Sequence, residues 1–268
     1  MILEYSDSMI QIDKIIEKSE KLGYNLNNFK KSFIQRRVNA RMRINKISTY
    51  DDYIKLLDVV PAEFQSLLQN LSINVTEFFR DHNIFSVLSQ KILPTIIDKH
   101  NNIKICSAGC ASGEEPHTLA IICNELLSNY DFKFKIYAYD RNIDALTRAK
   151  KGVFLPHSVK NISDELSQKY FKLQNDGNYF INNNMTEHIQ FTQWDLLKIL
   201  PVNDFDIVLC RNVIIYLDTP ARQQLFQNFY NVLKKSGYLV IGLSEVLDRP
   251  SSSLFTPIYS RDRIYQRY

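Results

Sequence analysis

Ser107-Ala-Gly-Cys-Ala-Ser-Gly-Glu-Glu-Pro116 is the stretch that decides the fold of this chain. Before it, Ile103-Lys-Ile-Cys106 alternates apolar and polar residues as a strand does. After it, Leu119, Ala120, Ile122, Cys123, Leu126 and Leu127 recur at helical spacing. The stretch is therefore a strand-to-helix turn. Gly109 and Gly113 permit the bend and a close approach of backbone to ligand, and Pro116 suits the first turn of a helix, where an N–H is not needed. Turns of this kind open nucleotide sites in doubly wound sheets. A phosphate cradle would present bare helix N–H groups and usually a lysine, yet Glu114 and Glu115 stand there instead. Two carboxylates suit a cation, and the nucleoside cofactor that carries an ammonium and a sulfonium is S-adenosyl-L-methionine. An ordinary strand-helix turn without a ligand is the competing reading of these residues alone.

A chain of 268 residues can bury one full-sized domain and a smaller one. Its 45% hydrophobic and 23% charged residues are those of a globular protein. No apolar run approaches the roughly 18 residues that cross a bilayer, and Met1-Ile-Leu-Glu-Tyr-Ser-Asp7 carries acids where a signal peptide is basic. A cytoplasmic protein without membrane insertion is expected. Cys106, Cys110, Cys123 and Cys210 lie in or beside apolar segments, with no C-x-x-C pair and no zinc-like spacing. They read as reduced core thiols, with Cys110 the one placed to be exposed, and no metal is expected.

Residues 1–72 read as all helix, 73–102 as a linker with the first helix of a second domain, and 103–268 as an α/β domain. Met9, Ile12, Ile15 and Ile16 form one amphipathic stripe; Tyr50, Tyr53, Ile54, Leu56 and Leu57 form another, with Pro61 beyond it. Between them, Lys30, Lys31, Arg36, Arg37, Arg41, Arg43 and Lys46 surround an apolar thread of Phe33, Ile34, Val38 and Met42, and no acid interrupts the run. The net charge of +4 alone implies no polyanionic partner, but such a local field is a candidate docking face. A further helix runs from Ala62 to about Leu71, and another from Ile84 to Ile97.

The α/β alternation follows. Lys135–Asp140 is a second strand, and Asp140 ends it where such folds place the carboxylate that holds ribose hydroxyls; a helix cap is the alternative, with Asn142 competing for it. The next helix ends at Gly152. Residues 153–188 break the rhythm as a short helix and a small antiparallel insert, with Asn175-Asp-Gly-Asn178 as the hairpin turn. The sheet resumes at Ile189–Thr192, Phe205–Cys210 and Gly237–Gly242. A helix from Thr219-Pro220 lies between the last two, with Gly237 as its stop, and Phe255–Ser260 and Arg263–Tyr268 form a closing antiparallel pair.

Asn74-x-Thr76-x-Phe-Phe-Arg80, Ser112-Gly-Glu-Glu-Pro116, Tyr139-Asp140 with Lys151-Gly-Val-Phe154, Cys210-Arg-Asn-Val-Ile-Ile-Tyr216 and Gly242-Leu-Ser-Glu245 together resemble, in order and spacing, the CheR methyltransferases of bacterial chemotaxis. The resemblance covers nearly the whole chain. It implies a Rossmann-like methyltransferase sheet, an all-helical N-terminal domain and a small β insert. It also implies methyl transfer from S-adenosyl-L-methionine to glutamate side chains of chemotaxis receptors, with S-adenosyl-L-homocysteine as product. Asn74, Thr76 and Arg80 would reach the cofactor, Glu114 its ammonium and Asp140 its ribose; Asp195 and Leu196 would lie near adenine, and Gly109, Arg211 and Asn212 would line the pocket. Asp195 stands where the family usually has Asn, and Leu243 where it has His.

The chemistry is consistent with these residues. A glutamate carboxylate with a pKa of roughly 4.3 is ionised at neutral pH, so no general base is required, and His82, His100, His117, His157 and His188 are scattered. Orientation and desolvation are what remain to be supplied. Arg80 or Arg211 would hold the substrate carboxylate and Tyr216 would orient either partner; pairing with Glu114 or Glu115 is the structural alternative for Arg211. The basic helix, through Lys30, Lys31, Arg36, Arg37, Arg41 and Arg43, would dock the acidic cytoplasmic helical rod of a receptor, with the enzyme a monomer recruited to membrane receptor arrays. Two rival readings remain. A nucleic-acid methyltransferase would also use a basic module, but no Asn-Pro-Pro-Tyr-like loop or catalytic Cys is present. A non-catalytic cofactor-binding adaptor is the other. The insert, with its one glycine Gly177, is not expected to tether a receptor C-terminus.

Overall fold

The computed structural model describes residues 2–22, 25–71 and 76–268. They fall into two compact units, Met1–Ile73 with Tyr216–Arg222, and Asn74–Ile215 with Gln223–Tyr268.

The helical unit comprises α1 (Ile2–Lys21), α2 (Lys31–Ile44), α3 (Tyr50–Val59) and α4 (Pro61–Leu71). The apolar stripes read from the sequence meet in its core, where Ile12, Ile15, Ile34, Val38, Tyr53 and Leu67 are fully buried. The Thr49 hydroxyl accepts the N–H of Asp52 and starts α3. Pro61 lies just beyond α3, as the sequence reading placed it, and opens α4, where its missing N–H belongs to a first turn that has no acceptor to offer. Tyr216–Arg222 joins this unit through backbone pairing. Lys30 N donates to Tyr216 O at 2.9 Å, Asp218 N to Asn28 O at 3.0 Å, and Phe29 bridges Leu217.

The larger unit begins with α5 (His82–Val87), a π-helical turn at Leu88–Ile92 and α6 (Leu93–Ile97). The single helix expected over 84–97 is thus interrupted. Pro94 has no N–H for the regular ladder, and the widened turn lies just before it. Then come β1 (Asn102–Ala108), α7 (Glu114–Leu126), β2 (Lys133–Asp140) and α8 (Ile143–Lys151). Asn142 caps α8 by accepting the N–H of Asp144 and Ala145, and Gly152 ends it in the left-handed region. The insert holds β3 (Val153–Phe154), α9 (Pro156–Val159), α10 (Asp164–Tyr170), β4 (Phe171–Leu173), β5 (Tyr179–Ile181) and α11 (Asn183–Glu187). Its strands form an antiparallel sheet in the order β3-β5-β4. The chain closes with β6 (Ile189–Gln193), β7 (Phe205–Cys210), α12 (Thr219–Val232), β8 (Leu233–Ile241), β9 (Phe255–Tyr259) and β10 (Ile264–Arg267).

The main sheet has the order β6-β2-β1-β7-β8-β10-β9. The strands from β6 to β8 are parallel, and β10 and β9 add antiparallel at one edge. This is the α/β, Rossmann-like sheet expected. The chain runs outward from β1 to β2 and β6 on one side, and to β7 and β8 on the other. The order therefore reverses between β1 and β7, and ligands of such sheets bind beyond the strand C-termini at that point. One detail departs from the sequence reading. Gly237 does not stop α12 but lies inside β8, which starts at Leu233 and shifts register against β7 between Phe205 and Ile207.

Candidate functional site

The turn after β1 is folded onto the end of β2 by its own backbone. Gly109 N and Cys110 N both donate to Tyr139 O, at 2.7 and 3.0 Å, and Ala111 N donates to Asp140 Oδ2 at 2.9 Å. Gly113 has φ +97°, and a Cβ there would stand 2.8 Å from that of Ala149. No other residue satisfies both the backbone and the packing at that position. Glu114 and Asp140 are thereby brought to the same turn.

Both carboxylates are costly to ionise and retain capacity to accept. Glu114 is 3% exposed, its two oxygens taking the hydroxyls of Ser112 at 2.7 Å and Ser158 at 3.0 Å. Burial raises its pKa above the usual carboxylate value, and those hydroxyls offset only part of the shift. Asp140 is likewise raised by burial, against the N–H groups of Asn142 and Ala111. An ammonium for the first and a pair of ribose hydroxyls for the second fit these acceptors; a phosphate does not. Among the described residues no group of His, Cys, Asp and Glu is placed to hold a metal ion. The four thiols are buried, Cys110 included, and burial pushes its thiol well up. His117 is buried beneath the turn, its Nδ1–H donating to Gly113 O at 2.8 Å; burial lowers its pKa to about 4, so it is neutral.

The segment that carries Thr76 and Arg80 is held against α7 and the insert. Phe79 N donates to Thr118 Oγ1 at 3.2 Å, Thr118 Oγ1 donates to Glu114 O at 2.7 Å, and Phe78 N donates to Ser158 O at 2.9 Å. Asn74, with the rest of 72–75, lies outside the described residues.

Arg211 takes the structural alternative named in the sequence reading, pairing with Glu115 in place of the substrate-holding role. Its side chain is 3% exposed. Nη1 donates to Glu115 Oε2 at 3.2 Å, and Nη2 to Asp81 Oδ2 at 2.7 Å and to Arg80 O at 2.6 Å, while the guanidinium lies over the Phe85 ring. Arg211 is thus turned inward rather than toward a substrate carboxylate, and it ties the Arg80 backbone to the end of β7. The partner is Glu115, itself oriented by Ser107 Oγ at 2.7 Å. Arg211→Ala should cost about 1–3 kcal/mol of stability, because it removes a buried guanidinium and leaves two partly exposed carboxylates unpaired; urea unfolding monitored by circular dichroism measures this.

Near the β6 terminus, Trp194 N donates to Asp140 O at 2.9 Å, which places Asp195 and Leu196 beside Asp140. Asp195 Oδ1 accepts Leu197 N at 3.1 Å, a turn that an Asn would make equally well. Asn228 Nδ2 donates to Leu196 O at 3.4 Å. Asn212 follows Arg211 with φ +61°.

Within the helical unit, the Tyr216 ring packs on Phe33 of α2 with centroids 4.6 Å apart. The cations of α2 are not equivalent. Arg41 is paired bidentately with buried Glu63, which also accepts the Tyr53 hydroxyl at 2.8 Å. Lys31 pairs with Asp13 at 2.6 Å, and Arg37 lies half-buried over Phe33. Arg41 is therefore a structural cation, contrary to its place in the expected docking set. Lys30, Lys31, Arg36, Arg43 and Lys46 remain exposed.

Comparison with known proteins agrees with this architecture. Residues 74–263 match the model of the CheR methyltransferase SAM binding domain, and residues 19–72 match that of the CheR methyltransferase all-alpha domain. The chain is 32% identical over 252 residues to a chemotaxis protein methyltransferase of Borreliella burgdorferi, covering 90% of this chain and 88% of the relative. It is 30% identical to chemotaxis protein methyltransferase 2 of Vibrio cholerae, covering 87% and 84%, and 26% identical to the chemotaxis protein methyltransferase of Salmonella typhimurium, covering 84% and 80%.

Proposed function

The chain belongs to the CheR methyltransferase family, and from that premise we propose that it methylates glutamate side chains on the cytoplasmic helices of chemotaxis receptors, giving methyl esters. The observation that carries the reading is a pair of carboxylates at the switch point of the sheet, Glu114 buried and Asp140 partly buried and joined to the same turn through the Ala111 N–H, where a phosphate cradle would present bare N–H groups.

Glu114 would take the methionyl ammonium, Asp140 the ribose hydroxyls, and Leu196 with Asp195 the adenine side; Thr76, Gly109 and Asn212 would complete the wall. When bound, S-adenosyl-L-methionine supplies an electrophilic methyl on a cationic sulfur, which leaves as a neutral thioether while the glutamate oxygen takes the methyl. Arg80 would hold the substrate carboxylate in line. The substrate is already an anion, so no proton has to move. The network beneath Arg80 would hold its backbone in place before the reactants meet, which is where an orientation-limited reaction gains its rate.

The exposed cations of α2 would steer an acidic helical rod to the enzyme. Transfer to a receptor cytoplasmic fragment should therefore slow as salt rises. Arg36→Glu/Arg43→Glu should raise the KM for the fragment about tenfold, with the dissociation constant for S-adenosyl-L-homocysteine unchanged. These two residues are chosen because reversal at Arg37 or Arg41 would also disturb packing. A salt-insensitive rate, or a KM equal to that of the wild type, would contradict the docking role.

A further inference from the structure

The loop that follows β7 carries Arg211 and Asn212 and leads to Tyr216, yet only Ile214 among residues 212–216 is buried. It is short of apolar anchoring, and Asn212 sits in the left-handed region, which Asn tolerates better than most non-glycine residues. Something must hold it.

Glu245, three residues beyond the end of the β8 turn glycine Gly242, is 2% exposed. Its Oε2 accepts Gly242 N at 2.6 Å and Asn212 N at 3.1 Å; its Oε1 accepts Ile214 N at 2.8 Å and Ile215 N at 3.3 Å. Four backbone N–H groups, three of them from the β7 loop, thus converge on one buried carboxylate. Gly242 makes room for it, since a Cβ there would lie 2.8 Å from Glu245 Oε2 and 3.0 Å from Asn212 N.

We infer that Glu245 is a positioning residue: its carboxylate gathers the N–H groups of Asn212, Ile214 and Ile215 and so sets the loop that presents Asn212 to the cofactor. The arrangement needs the ionised form, because only a carboxylate offers enough lone pairs at both oxygens. Glutamine keeps the size but turns an N–H₂ toward two of the donors, so packing survives and the loop does not. The inference rests on the reading of Asn212 as a cofactor contact.

The test compares wild type, Glu245→Gln and Gly242→Ala by amide hydrogen exchange and by titration calorimetry with S-adenosyl-L-homocysteine. For Glu245→Gln we expect a cooperative melt, with the amides of Asn212, Ile214 and Ile215 exchanging roughly tenfold faster or more while those of Ile207, Val208 and Leu209 in β7 are unchanged. S-adenosyl-L-homocysteine should bind roughly tenfold more weakly. A merely structural role would lower the melting temperature and speed exchange across β7 as well, with the affinity of the folded protein retained, and that pattern overturns the inference. So does an affinity equal to that of the wild type. If Glu245→Gln does not melt cooperatively, Gly242→Ala decides, because its methyl pushes the carboxylate off the same donors without removing it; the same loop-confined exchange and weakened binding are expected. Failure of the broader functional reading is distinct from these outcomes, since it appears as wild-type protein that does not bind S-adenosyl-L-homocysteine.

Discussion

Arg80→Ala is expected to lower methyl transfer about 10²–10³-fold, the loss typical when a charge-stabilising donor is removed from a reacting centre. The fold should be almost unaffected. Arg211 grips the backbone carbonyl of Arg80 and the carboxylate of Asp81, not the Arg80 side chain, so the network beneath the site persists in the variant. The two arginines therefore separate cleanly. Loss of Arg80 is a kinetic lesion, read as a fall in kcat with an unchanged unfolding midpoint, whereas loss of Arg211 is a stability lesion that takes activity with it. Near-normal turnover in Arg80→Ala would remove that residue from the reacting centre.

The second large effect concerns Glu114. Truncating one partner of a buried charge contact costs roughly 2–5 kcal/mol, so Glu114→Gln should weaken S-adenosyl-L-homocysteine on the order of 10²-fold. One of the Ser112 and Ser158 hydroxyls can still donate to the remaining oxygen and the other can accept from the new N–H₂, which limits the damage to binding. The pH dependence has a definite sign. Burial raises the Glu114 pKa above 4.5, so on acidification the carboxylate loses its charge at a higher pH than an exposed glutamate does. Wild-type affinity for the ammonium-bearing ligand should therefore fall as pH drops toward that raised value, and the fall should be smaller in Glu114→Gln. Calorimetric titration at a series of pH values reads both. Parallel curves for the two proteins would assign the ammonium to another group.

Much of this architecture is legible in the chain because its determinants are local. The turn at 107–116, the Asn142 cap, the Gly152 stop and the hairpin at Asn175–Asn178 are each specified by residues within a few positions of one another. What escaped the sequence reading depends on partners far apart in the chain. The acid-free run on α2 is uninterrupted in sequence, but Asp13 and Glu63 come from neighbouring helices to pair Lys31 and Arg41. Pairing of Arg211 with Glu115 stood as an alternative in the sequence, but the second partner, Asp81 from the segment before α5, did not, and periodicity carries no signal for it. Glu245 was visible only as the end of the Gly242-Leu-Ser-Glu245 motif; nothing in that spacing says that it accepts N–H groups from the loop after β7. The early start of β8 and the interrupted helix before β1 reflect tertiary pairing and a single proline, which local patterning reports only within a few residues.

The measurement that tests the central claim most directly is transfer of label from methyl-labelled S-adenosyl-L-methionine to a receptor cytoplasmic fragment, followed by mild alkali. Carboxyl methyl esters hydrolyse in base and release methanol, whereas N-methyl and C-methyl products persist. Esterification of glutamate predicts that the label is incorporated and then recovered as volatile methanol. Label that survives alkali, or binding of the cofactor with no transfer to any receptor fragment, would contradict it.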